Sequence, residues 1–104
     1  MTATQILIPQ QHDSFSEITL NGESLLIRFT YNDTFDQWSF GLYELNQTPI
    51  LVGVKIAPNF PLNLFTPMRR LGDVYFIAMS KRPHIGRRDL WDGGAEFLIM
   101  EKSP

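Results

Sequence analysis

The chain contains no cysteine, which excludes disulfide bonds, thiolate metal sites and cysteine nucleophiles. Histidine is also scarce, since His12 and His84 are the only two in the sequence. Neither belongs to a local cluster of metal ligands or to a local set of nucleophile, base and orienting group. We interpret both histidines as exposed surface residues. The sequence therefore predicts no catalytic residue, no metal site and no cofactor, and we do not expect an enzyme.

Long apolar runs are missing as well. No stretch approaches the ~20 apolar residues that a membrane-spanning helix needs, and no basic residue precedes the short run Ile6-Leu7-Ile8, which ends at Pro9. We expect neither a signal peptide nor a membrane partner. With 104 residues, of which 43% are hydrophobic, the expectation is a soluble single domain over residues 1–104 with a thin core.

Apolar residues alternate with other residues in three consecutive segments, as they do in half-buried antiparallel strands. The segments are 25–31, 38–42 and 50–56. Trp38 opens the second segment and is predicted to anchor the core. Together with the apolar residues before Asn21-Gly22, the pattern predicts a meander of four strands at about 14–20, 23–31, 37–45 and 50–57.

The connections between these segments have the composition of turns. Asn21-Gly22 suits a type I′ hairpin turn, in which both central residues need a positive φ. Tyr31-Asn32-Asp33 begins a second turn, where Asn and Asp are common because their side chains bond the nearby backbone. Asp36 is assigned to the same turn for the same reason, and Asn46 to Pro49 form the third.

Arg28 is the unusual residue of the second strand, because it lies on the face opposite the apolar stripe. Two interpretations stay open. Arg28 is either an exposed strand cation or a paired arginine whose planar fork fixes a turn or an interface.

The second half of the chain is less regular. Prolines bracket the segment near 60–70, which predicts an irregular or one-turn helical crossover. Val74 to Met79 is a continuous apolar run, typical of a strand covered on both faces. Residues 80–94 are predicted to be a loop ending in a tight turn at Gly93-Gly94, and residues 95–100 to be the closing strand. With a strand at 5–8, these about seven strands predict an all-β fold, a small antiparallel barrel or sandwich.

Charge is distributed unevenly along the chain. Residues 1–52 carry one basic and six acidic groups, whereas residues 53–104 carry eight basic and five acidic groups. Short chains often have uneven charge, but opposite-signed surfaces can also dock copies of a chain, or the chain and its neighbours, in one register. The candidate partner-interface residues are Arg69, Arg70, Lys81, Arg82, Arg87 and Arg88.

An alternative function uses the basic residues at 81–88 to bind single-stranded nucleic acid, with Trp91 and Tyr75 stacking on bases. The isoelectric point near 5.5 argues against a dedicated nucleic-acid binder. A small hydrolase or sugar-binding fold is a third possibility, supported only by scattered carboxylates and aromatic residues.

Several short motifs together are more specific than a general meander. They are Leu20 to Asn32, Trp38 to Tyr43, Pro49 to Gly53, Leu71-Gly72-Asp73 and Asp89-Leu90-Trp91. In their order and spacing they resemble the baseplate plug family of contractile-tailed bacteriophages over about residues 5–100. In that family the last motif introduces the closing strand. Trp91 to Gly94 replaces a shorter Leu-Gly of many relatives, and Met100 replaces a C-terminal aromatic, which leaves the geometry of residues 86–96 open.

The resemblance implies a structural component of the phage tail baseplate, located in the virion and assembled in the host cytoplasm. Such a protein plugs the tail tube or joins its end to the central hub or spike. Its partners would be other baseplate proteins, with several copies around a three-fold or six-fold axis. The motif residues would then have structural roles; they are Asn21, Gly22, Arg28, Tyr31, Asn32 and Trp38.

Overall fold

The computed structural model describes residues 2–20, 22–59 and 74–101. Within these ranges the chain forms seven strands and one short helix. In chain order they are β1 (Thr2–Ile6), β2 (Asp13–Leu20), β3 (Glu23–Asn32), β4 (Gln37–Tyr43), β5 (Pro49–Lys55), β6 (Val74–Ser80), α1 (Asp89–Asp92) and β7 (Ala95–Glu101). The predicted crossover near 60–70 lies outside the described residues.

Strands β2 to β5 form one antiparallel sheet in the order β2-β3-β4-β5, which confirms the predicted meander. The first hairpin closes at the pair Leu20 and Glu23. Gly22 has a φ of 79°, as the predicted turn requires, and glycine adopts this conformation without steric cost. Its neighbour Asn21 lies outside the described residues.

The pairing of β4 with β5 is less regular than the other pairings, with register shifts on both sides of Leu42. Gly41 sits in this region, and a Cβ atom there would lie 2.8 Å from the carbonyl oxygen of Leu51. The two backbones therefore approach more closely than a residue with a side chain would allow. Such a bulge bends the strand and increases its twist.

The remaining strands form a second antiparallel sheet in the order β1-β7-β6. The prediction that β6 is covered on both faces was wrong. Val74, Phe76 and Ala78 are buried, whereas Tyr75 is 37% and Met79 is 45% exposed. Burial thus alternates along a strand whose sequence is apolar almost throughout, so the apolar run alone could not show which face meets solvent.

The two sheets pack face to face through aromatic rings. Phe29 meets Phe97 edge to face with ring centroids 5.0 Å apart. Phe40 of the first sheet contacts both Phe76 and Phe97 of the second, at 5.1 and 5.3 Å. Trp38 is fully buried in the same core, which confirms its predicted role, since a large aromatic contributes strongly there. Among the described strands the architecture is an all-β sandwich of two sheets.

Candidate functional site

The predicted partner-interface residues that the structure describes lie in one segment. Residues 81–88, called here the basic loop, follow β6 and lead into α1. Lys81, Arg82, Arg87 and Arg88 are all exposed there. Arg69 and Arg70, the other two predicted interface residues, lie outside the described residues.

The buried carboxylate of Asp89 organises the basic loop. One of its oxygens accepts a hydrogen bond of 2.6 Å from the backbone N–H of Gly86, and the other accepts one of 2.6 Å from Arg82. The Asp89 side chain is only 9% exposed, so both bonds compensate for the loss of water around its charge. Asp89 therefore ties the loop to the start of α1.

The sequence predicted a loop for Asp89-Leu90-Trp91, and these residues instead form the one-turn helix α1. The closing strand β7 begins at Ala95, as predicted. The helix is a single turn, too short to show a helical period in the sequence. The predicted tight turn at Gly93-Gly94 follows it, with Gly93 in the left-handed conformation.

Two contacts clamp the basic loop to the β3–β4 turn and to β4. The indole N–H of Trp38 donates to the carbonyl oxygen of Gly86 at 3.1 Å. The ring nitrogen Nε2 of His84 lies 3.0 Å from the carboxylate of Asp36, whose other oxygen accepts a hydrogen bond from the hydroxyl of Tyr31. Both contacts join residues 48 positions apart, so no local pattern in the sequence could have indicated them.

The electrostatics of the β3–β4 turn favour this arrangement at neutral pH. The hydrogen bond from Tyr31, followed by that from His84, lowers the pKa of the Asp36 carboxyl. The same bond to Asp36 raises the pKa of Tyr31 to about 12, because ionisation would place two negative charges side by side. Asn32 completes the turn by accepting hydrogen bonds from the backbone N–H groups of Thr34 and Phe35.

Aromatic rings and Arg87 fill the other side of the loop. The ring of His12 stacks on the Trp91 ring with centroids 6.0 Å apart, and it packs at a tilt against the Tyr31 ring with centroids 5.2 Å apart. Arg87 donates from Nε to Nε2 of His12 at 2.9 Å and covers the Trp91 ring at 6.0 Å. The histidines are exposed as predicted, yet both hold contacts across the fold. Since neighbouring side chains cover Trp91, it offers a poor stacking platform for a nucleic-acid base.

The four cations of the basic loop therefore divide into two pairs. Arg82 is bound to Asp89 and Arg87 to His12, whereas Lys81 and Arg88 make no ion pair with any described residue. Lys81 borders a depression of about 490 Å³ together with Met79 and Glu96. Lys81 and Arg88 are thus the two cations of the basic loop that make no ion pair within the described part of the chain.

Arg28 resolves the question that the sequence left open. Its Nε and a terminal nitrogen donate to the two oxygens of Asp13 at 2.8 and 2.6 Å, and its guanidinium lies 5.4 Å from the centre of the Phe15 ring. Arg28 is therefore a paired arginine whose fork joins β3 to β2. This bond lowers the pKa of the Asp13 carboxyl, while Asp13 and Tyr43 raise that of Arg28.

Two kinds of site are not found in the described part of the chain. No three histidine, aspartate or glutamate residues converge as ligands of a metal ion in residues 2–20, 22–59 and 74–101. The helices of these ranges include none that is long and apolar enough to cross a membrane.

The fold and the site together define a small all-β protein with a rigidly held basic surface, as expected of a part that assembles with other proteins. A comparison with protein families identifies the class more closely. The family described as "Cyanophage baseplate Pam3 plug gp18" matches residues 3–100, nearly the whole chain. The chain belongs to this family, which confirms the resemblance found in its motifs and indicates a structural role in the phage baseplate. No curated protein matches the chain.

Proposed function

We propose that the protein plugs the phage tail at the baseplate by joining the end of the tail tube to the central hub or spike. Membership of the plug family supports this role. The observation that carries it is the clamped basic loop, which presents Lys81 and Arg88 on a support held by Asp89, Trp38 and Asp36. A preorganised surface loses little conformational entropy on binding, which suits a joint that must stay closed until the tail contracts.

The proposal includes several copies of the chain around a three-fold or six-fold axis of the virion. Closed rings form when one surface of a subunit meets a different surface of the next. The unequal charge of the two halves of the sequence supports such head-to-tail contacts, because surfaces of opposite sign fix orientation and register. The neighbours in this proposal are other baseplate proteins, inside a virion assembled in the host cytoplasm.

The contact surface can be tested by charge reversal in the basic loop. The chain is co-expressed with the hub, spike and tube proteins encoded by neighbouring tail genes, and binding of the purified proteins is measured by biolayer interferometry. Lys81→Glu and Arg88→Glu should each weaken binding about tenfold, since a like-charge contact replaces an opposite one. Lys55→Glu, an equal charge change at an exposed position of β5, should leave it unchanged.

Three outcomes would count against the proposal. If both loop variants bind like the unaltered chain, the basic loop is not the contact surface. If the chain joins no tail protein and tails lacking it show unchanged density at the tube end, it is not a plug. If instead a single-stranded oligonucleotide is retarded in a salt-dependent way, and Lys81→Glu abolishes the shift, the nucleic-acid function is the correct one.

A further inference from the structure

The sandwich has four outer strands, and they differ in how their edges are protected. In the two sheets formed by the described strands, the outer positions belong to β1 and β6, and to β2 and β5. An outer strand presents unpaired backbone N–H and C=O groups, which proteins commonly block with proline, bulges, charged residues or a covering segment. A regular edge without such protection is a site where another strand can add.

Strands β5 and β6 are protected. Strand β5 begins with Pro49, contains the irregular pairing around Leu42, bends at Gly53 with a φ of 67°, and ends with Lys55. The end of β6 is covered by Asn59, whose backbone N–H donates to Ala78 at 2.7 Å and whose side chain exchanges two hydrogen bonds with the backbone of Ser80. Neither edge offers an incoming strand a regular ladder.

Strands β1 and β2 contain no proline and no bulge, and no segment of the described residues covers their edges. Strand β1 pairs with β7 in unbroken register from Thr2 to Ile6 and contains no proline, glycine or charged residue. Strand β2 pairs with β3 over all of its eight residues without a bulge. Neither has a second neighbour among the described strands. Both edges are therefore regular templates for the addition of a strand. Of the two, β1 is the one that carries no charged residue.

A groove of about 200 Å³ lies between these two edges. The residues that line it come from β1, β2 and β7; they are Thr4, Ile6, Glu17, Ile18, Thr19, Leu20 and Ile99. Glu17 is the only charged one and makes no ion pair with any described residue. Leu7, directly after β1, is 82% exposed. Within the described residues, the groove thus combines apolar walls, a carboxylate without an ion pair and two strand edges without a second neighbour.

We propose that an extended segment of a neighbouring protein adds to the edge of β1 as a fourth strand of its sheet, with alternate apolar side chains in the groove and a lysine or arginine facing Glu17. Charge decides against a second copy of this chain as the donor. Its own open edges are uncharged in β1 and acidic in β2, through Asp13 and Glu17, so pairing between copies would leave Glu17 unpaired or repelled. Only the expectation that the donor is a baseplate protein rests on the proposed function.

The strand addition can be tested without any baseplate protein. The probe is a synthetic peptide in which valine alternates with threonine and one central lysine, titrated into the isotope-labelled chain and followed by NMR. The backbone amide signals of β1 and of residues 17–20 should shift. Replacing the peptide's lysine with glutamate should weaken binding about tenfold. The variant Glu17→Lys should reverse that preference, whereas Asp33→Lys, a matched reversal at an exposed residue outside the groove, should not.

A second measurement uses the assembled baseplate. Amide hydrogen exchange in β1 should slow about tenfold when the chain joins its partners, because the outward N–H groups gain acceptors. Absence of peptide shifts in β1, or shifts centred on β5 instead, would overturn the inference, as would unchanged exchange of β1 in a baseplate that does contain the chain. If the peptide binds at β1 but the chain joins no baseplate protein, the plug function fails and the strand-addition site stands.

Discussion

The ion pair between Arg28 and Asp13 makes a small part of the protein's stability depend on pH. Their side chains are 36% and 51% exposed, so water screens the interaction and its contribution is at most about 1 kcal/mol. Since the pKa of Asp13 is lowered in the folded state, the pair stabilises the fold above the pKa of the unfolded aspartate. That contribution is lost as the pH falls through the lower folded pKa.

Substitution of Asp13 tests this directly. Asp13→Asn should lower the free energy of unfolding by less than about 1 kcal/mol at pH 7, and the difference from the unaltered chain should shrink as the pH falls below about 4. Urea unfolding at several pH values measures both. Asp33→Asn is the control, because Asp33 is an exposed aspartate outside any ion pair of the described residues. A difference that grows with acidity would show that the pair does not act as described.

Asp89 acts on a whole element, the basic loop. It accepts bonds from both Gly86 and Arg82, so Asp89→Asn would turn an NH₂ group toward one of these donors. The expected cost is about 1–3 kcal/mol, the penalty for leaving a buried polar group unsatisfied. Residues 81–88 should also be cut faster by trypsin under native conditions, because the loop loses its tether.

Urea unfolding and limited proteolysis measure the two effects, again with Asp33→Asn as the control. A stability loss without faster cleavage in the loop would assign Asp89 to the helix alone. Faster cleavage without a stability loss would show that the loop opens independently of the core. Only both effects together agree with a loop that is held as part of the folded unit.

The meander was predictable because its signals are local. The turn depends on the positive φ of Gly22, and the strand is indicated by the alternation of Leu25, Ile27 and Phe29. Both signals involve residues close together in the sequence, and the family motifs fall in the same region. The clamp of the basic loop was not predictable, since His84 meets Asp36 across 48 positions. The partner of Arg28 also stayed open, because it depends on the register that sets Phe15 opposite Arg28 and brings Asp13 within reach.

At the scale of the whole molecule, the core joins both sheets. Phe97 of β7 contacts Phe29 and Phe40 from the other sheet, and Trp38 of β4 meets Trp91 of α1 edge to face at 5.7 Å. One cluster of buried residues includes side chains from every strand except β1, whose Ile6 packs against it. Neither sheet of the described fold buries its apolar face without the other, so each depends on the other for stability.

This interdependence predicts a single unfolding transition, which also tests the expectation of one domain over residues 1–104. Urea unfolding followed by circular dichroism reports on the strands of both sheets, and the fluorescence of Trp38 in a Trp91→Phe variant reports on the core beside β4. The two curves should coincide, with a slope of about 1–3 kcal/mol per molar urea. Two separate transitions would mean that the sheets unfold independently, and a plug built from them would lack the rigidity that a joint between tube and hub requires.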